Sequence, residues 1–246
     1  MNETLIRTLR EKLAQSEHAV FFGGAGMSTA SGIPDFRGSA GLYTESEEES
    51  PEYLLSDSCL LREPARFFDY YRRNMLHPEA RPNPAHYALA ELEKRGILKA
   101  VVTQNIDGLH QMAGSRRVLE LHGSTARNYC MKCGSPAERD AISSTSGIPR
   151  CETCGGTIRP DVVLYGEFLP ADVFTAAREE IEEADFLLVG GSSLTVNPAA
   201  SLITRMGRRR GGGCSLVIVN FDETPYDEYA DAVIRESVAE VLPALL

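Results

Sequence analysis

At 246 residues and 43% hydrophobic side chains, with a mean hydropathy of −0.20, the chain can bury a sizeable core and has no apolar run near the length a membrane span requires. A formal charge of −10 and a pI near 5.1 speak against a nucleic-acid partner, because a phosphate backbone draws a basic surface; lysine-rich peptide segments are not repelled. The start Met1-Asn2-Glu3-Thr4 lacks the basic-then-apolar order of a secretory leader, so a cytoplasmic protein with no membrane partner is expected.

In chain order, Leu5, Ile6, Leu9 and Leu13 recur at helical spacing, and residues 19–22 form an apolar run that reads as a buried strand. A glycine-rich turn follows, Gly24-Ala25-Gly26, and residues 27–31 are expected to open a helix. Residues 36–58 show no clean period, carry the acidic stretch Glu45-Ser46-Glu47-Glu48-Glu49, and are expected to form a mobile loop. Helical patterns resume over 64–76 and 84–95, the second ending at Gly96. Strands are expected at 97–103, 118–121, 162–165, 186–189, 216–220 and 232–234, with helices at 171–183 and 198–205. Alternation of strand and helix is the rhythm of a parallel sheet, so the fold class is α/β, a Rossmann-like sheet with helices on both faces. The run Arg208-Arg209-Arg210 before three glycines reads as a solvated turn.

An insertion over 124–159 breaks this rhythm and carries Cys130-x2-Cys133 and Cys151-x2-Cys154, with 17 residues between the pairs. That spacing suits a tetrahedral zinc site, and four thiolates leave no open position for water, so the ion would be structural. Two disulfides or reduced thiols are the alternative, and no secretory mark favours disulfides. Cys214 reads as a buried apolar cysteine, and Cys59 has no assigned role. The expected organisation is a discontinuous sheet domain (1–37, 82–123 and 160–246), a cofactor loop and helical insertion (38–81), and a zinc-ribbon module (124–159).

Gly24-x-Gly26 lacks the third glycine of an ordinary dinucleotide fingerprint, since Thr29 stands near its place. What carries more weight is the conjunction of this turn with Gln104-Asn105-Ile106-Asp107, Leu121-His122-Gly123, the four cysteines, Gly190-Gly191-Ser192-Ser193 and Val219-Asn220. In these features, from about Leu13 to Leu242, the chain resembles the sirtuin family of NAD-dependent protein lysine deacylases.

The resemblance implies NAD+ as co-substrate across the carboxyl edge of the sheet. Gly24, Ala25, Gly26 and Thr29 would face the pyrophosphate, with Asp35, Phe36 and Arg37 in the loop over the nicotinamide ribose. Gln104 and Asn105 would address that ribose and its neighbouring water, and Ile106 and Asp107 the carboxamide. Ser192 and Ser193 would meet phosphate and ribose, Asn220 the adenosine ribose, and Ser237 and Val238 stand where many relatives approach the adenine. Acylated lysine peptides are the implied partner, held by Val163, Tyr165 and Gly166 as an added strand. Tyr70 and Arg73, three apart on one helix face, match a pair that marks preference for succinyl or malonyl lysine in some members; a plain amphipathic helix is the alternative.

His122 would be the general base and Asn105 its catalytic companion, while the other histidines read as structural or exposed. In the implied reaction the acyl-lysine amide oxygen attacks C1′ of the nicotinamide ribose, and a proton taken by His122 lets the 2′ oxygen attack the acyl carbon. Products are nicotinamide, 2′-O-acyl-ADP-ribose and free lysine. Imidazole suits the role because its ordinary pKa lies near working pH. A protein ADP-ribosyltransferase, a noncatalytic nucleotide sensor and a zinc-ribbon nucleic-acid protein remain as alternatives, and a monomer is expected.

Overall fold

A computed structural model describes residues 2–35, 50–211 and 213–246. Helix α1 (Glu3–Gln15) starts where the Asn2 side chain accepts from the N–H groups of Thr4 and Leu5, and it turns Ile6, Leu9 and Leu13 inward. Strand β1 (Ala19–Gly23) is buried along its whole length, as expected of a parallel strand covered on both faces. The segment after it is not the expected helix but two short 3-10 turns, Ala25–Met27 and Thr29–Ser31. The two turns close through i→i−3 bonds, Ser28 N–H to the Ala25 carbonyl and Gly32 N–H to that of Thr29, and Gly32 adopts a left-handed conformation that ends the segment.

Beyond the undescribed stretch, two helices, α2 (Pro51–Leu54) and α3 (Asp57–Arg62), take up the last part of the expected loop, and α4 (Pro64–Asn74) is the helix expected over 64–76. Ser50 and Ser56 cap the first two. Helix α5 (Pro84–Lys94) is capped by Asn83, with the His86 ring accepting from the Asn83 N–H in return. Then come β2 (Leu98–Thr103), α6 (Leu109–Ala113), β3 (Val118–Glu120), β4 (Gly123–Cys130), β5 (Pro136–Ala137) and β6 (Ile158–Val162). The expected strand over 162–165 is corrected: pairing in β6 ends at Val162, and residues 163–165 leave the ladder. Helix α7 (Ala171–Glu183), β7 (Phe186–Gly190), a 3-10 segment (Ala199–Arg205) where an α-helix was expected, β8 (Ser215–Val219), β9 (Ala232–Ile234) and α8 (Val238–Ala244) complete the chain. The run Arg208–Arg210 is an exposed 3-10 turn; Arg209 pairs with Glu179 and Glu182 of α7, and Arg210 with Glu17.

The main sheet has the order β3-β2-β1-β7-β8-β9, and all its pairs are parallel. Alternation along β1 sends Ala19 and Phe21 to a core shared with α1, α5 and α8, and Val20 and Phe22 to one shared with α7 and the 199–205 segment. Each large side chain so buried contributes about 1.5–3 kcal/mol. Strand ends align in register, Gly23 with Thr103 and Gly190, Gly190 with Val219, and Val219 with Ile234. The chain leaves β1 toward one edge and β7 toward the other, so these two neighbours form the crevice where such sheets hold ligands.

A second sheet, β5-β4-β6, is antiparallel. It packs with α2, α3 and α4 in a separate core containing Leu55, Cys59, Phe67, Phe68, Tyr71, Ile142, Ile158 and Leu164. Cys59 is thus a buried apolar residue of the smaller lobe.

Candidate active site at the carboxyl edge of the sheet

The two glycine turns meet backbone to backbone. Gly24 donates to the Gly190 carbonyl and Gly26 to that of Gly191, and a Cβ added at Gly191 (φ +59°) would lie 2.3 Å from the Met27 nitrogen. Only glycine permits this approach. It brings Gly24, Ala25, Gly26 and Ser28 together with Gly191, Ser192 and Ser193 on the wall of a cavity of about 500 Å³ that runs between the sheet and the smaller lobe.

Gln104 opens the next wall. Its N–H bonds the Gly23 carbonyl at 3.0 Å, and its amide donates to Ser192 Oγ at 2.9 Å, joining the β2 and β7 loops across β1. Asn105 Nδ2 donates to Ser28 Oγ at 3.0 Å, and Ser28 Oγ donates to Asp107 Oδ2 at 2.6 Å; Asp107 Oδ1 also takes the Leu109 N–H. The Ile106 carbonyl is taken by the N–H and hydroxyl of Thr125, so its orientation is set by β4.

His122 stands at the end of β3, with Nδ1 2.9 Å from the Gln104 carbonyl. A carbonyl only accepts, so Nδ1 carries the hydrogen and Nε2 is left as the basic atom on a ring that lines the cavity. Burial lowers its pKa, partly offset by the bond to Gln104, which keeps the ring neutral at neutral pH. The His122 carbonyl accepts from the Val163 N–H at 3.0 Å, starting the segment opposite. Tyr165 pairs on one side with Leu55 and Asp57, while Glu167 accepts from the Leu164 N–H and from buried Arg159. Burial opposes it, yet Arg159 and Leu164 hold the Glu167 carboxyl below the usual range.

The cavity brings together Gly24, Ala25, Gly26, Asp35, Gln104, Asn105, Ile106, Asp107, His122, Val163, Tyr165, Gly166, Ser192, Ser193 and Asn220. Phe36 and Arg37 lie outside the described residues. Thr29 is not on the cavity wall; its hydroxyl bonds the Gly26 carbonyl. Ser237 and Val238 are also off it, because Ser237 caps α8 and Val238 is packed in the core near Gly190. Tyr70 is buried within the small lobe and Arg73 is ion-paired with Asp69 at an exposed position, so neither lines the cavity. Tyr71, Asn74, Met75 and His77 line it in their place. Ser28, at the centre of the Asn105–Asp107 link, also escaped the sequence reading; its position two residues after Gly26 was the available signal.

At the far end of the smaller lobe, Cys130 and Cys154 Sγ are 3.5 Å apart, Cys133 and Cys151 Sγ 3.8 Å, and all four sulfurs lie within 4.8 Å of one another. Tetrahedral zinc with Zn–S bonds of about 2.3 Å needs sulfurs about 3.8 Å apart, so the four fit one structural ion.

The fold and site define a doubly wound nucleotide-binding domain carrying a four-cysteine lobe. Residues 24–198 match the model of the Sir2 family. The chain is 50% identical over 236 residues to an NAD-dependent protein deacetylase of Cutibacterium acnes, covering 95% of this chain and 94% of that one. It is 48% identical over 245 residues to the protein of that name from Sulfolobus acidocaldarius, covering 98% and 93%. A solved structure described as "Structural Basis for the Mechanism and Regulation of Sir2 Enzymes" superposes with a TM-score of 0.88 at 44% identity, covering 99% and 96% of the two chains. One described as "Sir2-p53 peptide-NAD+" gives 0.85 at 38% identity, covering 98% and 96%. The chain belongs to the Sir2 family, the sirtuins.

Proposed function

We propose that the chain is an NAD-dependent protein-lysine deacetylase, an acyl transferase that moves the acyl group of a modified lysine to NAD+-derived ribose and, with one water, yields nicotinamide, 2′-O-acyl-ADP-ribose and free lysine. The observation that carries this reading is the shared cavity: an imidazole whose Nδ1 is held by the Gln104 carbonyl, leaving Nε2 as the basic atom, lines one cavity with the glycine turns, the 104–107 wall and the 163–166 segment. Relatives with near-complete coverage carry the deacetylase name.

NAD+ supplies a leaving group at an electrophilic sugar carbon when bound. Residues 24–26 and Ser192, Ser193 and Asn220 would hold its phosphates and adenosine ribose, and Asn105, Ile106 and Asp107 the nicotinamide end. His122 Nε2 takes a ribose hydroxyl proton and returns it to the departing amine. Val163 and Gly166 offer backbone groups to an extended peptide on the side that Leu55 and Asp57 leave open.

We assign the nucleotide to residues 1–37, 82–123 and 160–246, with 124–159 as the metal module and 38–81 as the insertion between them. We take the protein as a monomeric cytoplasmic enzyme acting on proteins and not on nucleic acid or membranes; among the described residues no helix is long and apolar enough to cross a membrane. The test is mass spectrometry of the small molecules formed from NAD+ and an acetyl-lysine peptide. Nicotinamide with acyl-ADP-ribose supports the reading, ADP-ribose retained on protein points to transferase chemistry, and no nicotinamide release refutes both.

A further inference from the structure

The turn that carries Ser28 is held from behind the cavity wall by one side chain. Asn83 is 5% exposed, and its Nδ2 donates to the Met27 carbonyl and to Ser31 Oγ, each at 2.9 Å. The same residue caps α5: its Oδ1 accepts from the Ala85 N–H at 3.0 Å, and its own N–H donates to the ring of buried His86. Capping needs only a side-chain oxygen, which aspartate or serine supplies equally well. The two amide donors are given to the turn instead, and they are what distinguishes asparagine at this position.

The helix behind Asn83 is a rigid anchor. Ala85, Ala88, Leu89 and Leu92 of α5 lie in the main core, and Met27 lies in the same core. Because a peptide unit is planar, fixing the Met27 carbonyl also fixes the Ser28 nitrogen, and with it the direction from which Ser28 Oγ reaches Asn105 and Asp107. The bond to Ser31 secures the other side of the turn, just before Ile33, Pro34 and Asp35 join the cavity wall. Asn83 is not on that wall, so it acts through residues 27–31. Gly24 and Gly26 are held separately, by the carbonyls of Gly190 and Gly191.

We propose, on the deacylase reading above, that Asn83 is a positioning residue for the nicotinamide end of NAD+: it ties Ser28 and the 33–35 wall to α5, while the phosphate end rests on a glycine contact that does not involve it.

The experiment compares the unaltered protein with Asn83→Asp and Asn83→Ser, which keep an oxygen for the helix cap and lack the amide donors. Calorimetry is run with NAD+ and with ADP-ribose, which has no nicotinamide. NAD+ binding is expected to weaken by about tenfold or more, the size of effect two lost hydrogen bonds produce, while ADP-ribose binding is nearly unchanged. With an acetyl-lysine peptide, KM for NAD+ should rise and KM for the peptide should hold. A role in folding alone would lower Tm and leave both nucleotide affinities of the folded protein as they were, and that result overturns the proposal. An equal loss for NAD+ and ADP-ribose overturns it as well. If the aspartate variant does not fold, the serine variant decides, since it buries no charge. If neither folds, Ser31→Ala decides by the same comparison, because it removes one acceptor without touching the cap. The two nucleotide affinities are read without turnover: absence of nicotinamide release from every acyl peptide sinks the deacylase reading, and loss of the NAD+-against-ADP-ribose difference sinks this inference alone.

Discussion

His122 and Gln104 are joined through Nδ1 and a main-chain oxygen at 2.9 Å, so the loop that follows β2 sets the tautomer of the imidazole at the end of β3. His122→Ala should lower deacylation by about 10²–10⁴-fold while leaving NAD+ binding measurable by calorimetry. Because burial lowers the His122 pKa, the base stays neutral below pH 6.5, and the acid limb of kcat/KM against pH should fall below that value. An acid limb above 6.5 would count against Nε2 as the proton acceptor.

Ser28 relays between Asn105 and Asp107, accepting from one and donating to the other. Removing it leaves the half-buried Asn105 amide and Asp107 carboxylate without their shared partner. Ser28→Ala should reduce kcat/KM for NAD+ by about tenfold or more, with little change in melting temperature, because the relay sits at the cavity and not in either core. Unchanged kinetics would remove Ser28 from the site.

The sulfur tetrad predicts one metal ion per chain by elemental analysis and loss of stability on chelation. Each kcal/mol lost should lower Tm by roughly 2–4 °C in a chain of this size. Cys151→Ser should behave like the chelated protein, with deacylation falling alongside metal content. Full activity in metal-free protein would separate the lobe from the chemistry.

His86 and His110 form a buried pair with ring centroids 4.8 Å apart; His86 Nε2 and both ring nitrogens of His110 lack partners among the described residues. Burial holds His86 at about 4, with Asp107 pulling the other way, and burial together with neighbouring His86 holds His110 at about 3. The unfolded chain takes these protons near 6.5, the folded chain only near 4 and 3, so the folded state loses stability as pH falls below 6.5. Each histidine contributes a slope of up to about 1.4 kcal/mol per pH unit. Urea unfolding between pH 6.5 and 5 should show this fall, and His110→Phe should flatten it; His122, also lowered, adds in the same direction.

The strands of the main sheet were legible because each is a short apolar run between turn residues. The metal site was legible because two thiol pairs of this spacing can close around a single ion. The start of the helical insertion was not legible. Helices of four and six residues, such as Pro51–Leu54 and Asp57–Arg62, are too short for periodicity to register. On α4 the resemblance pointed to Tyr70 and Arg73 at the acyl site, with a plain amphipathic helix as the alternative; Tyr70 is buried, Arg73 is exposed, and Tyr71 is on the cavity wall. Phe67, Phe68, Tyr70 and Tyr71 are all buried, so the apolar stripe is too broad to tell which of two adjacent tyrosines meets the cavity. The glycines of 24–26 were read only as room for a phosphate. Their tight contact with Gly191 is a tertiary constraint that no local pattern announces.

The ladder between β4 and β6 starts at Gly123 and Val162, each next in sequence to one partner of the His122–Val163 bond, and ends at Cys130 and Ile158 beside the sulfurs. It works as a ruler with the metal at one tip and the proton acceptor at the other. Slack introduced at the sulfur end would travel along it and shift the imidazole relative to the sugar it must serve, although no cysteine comes near the reacting atoms.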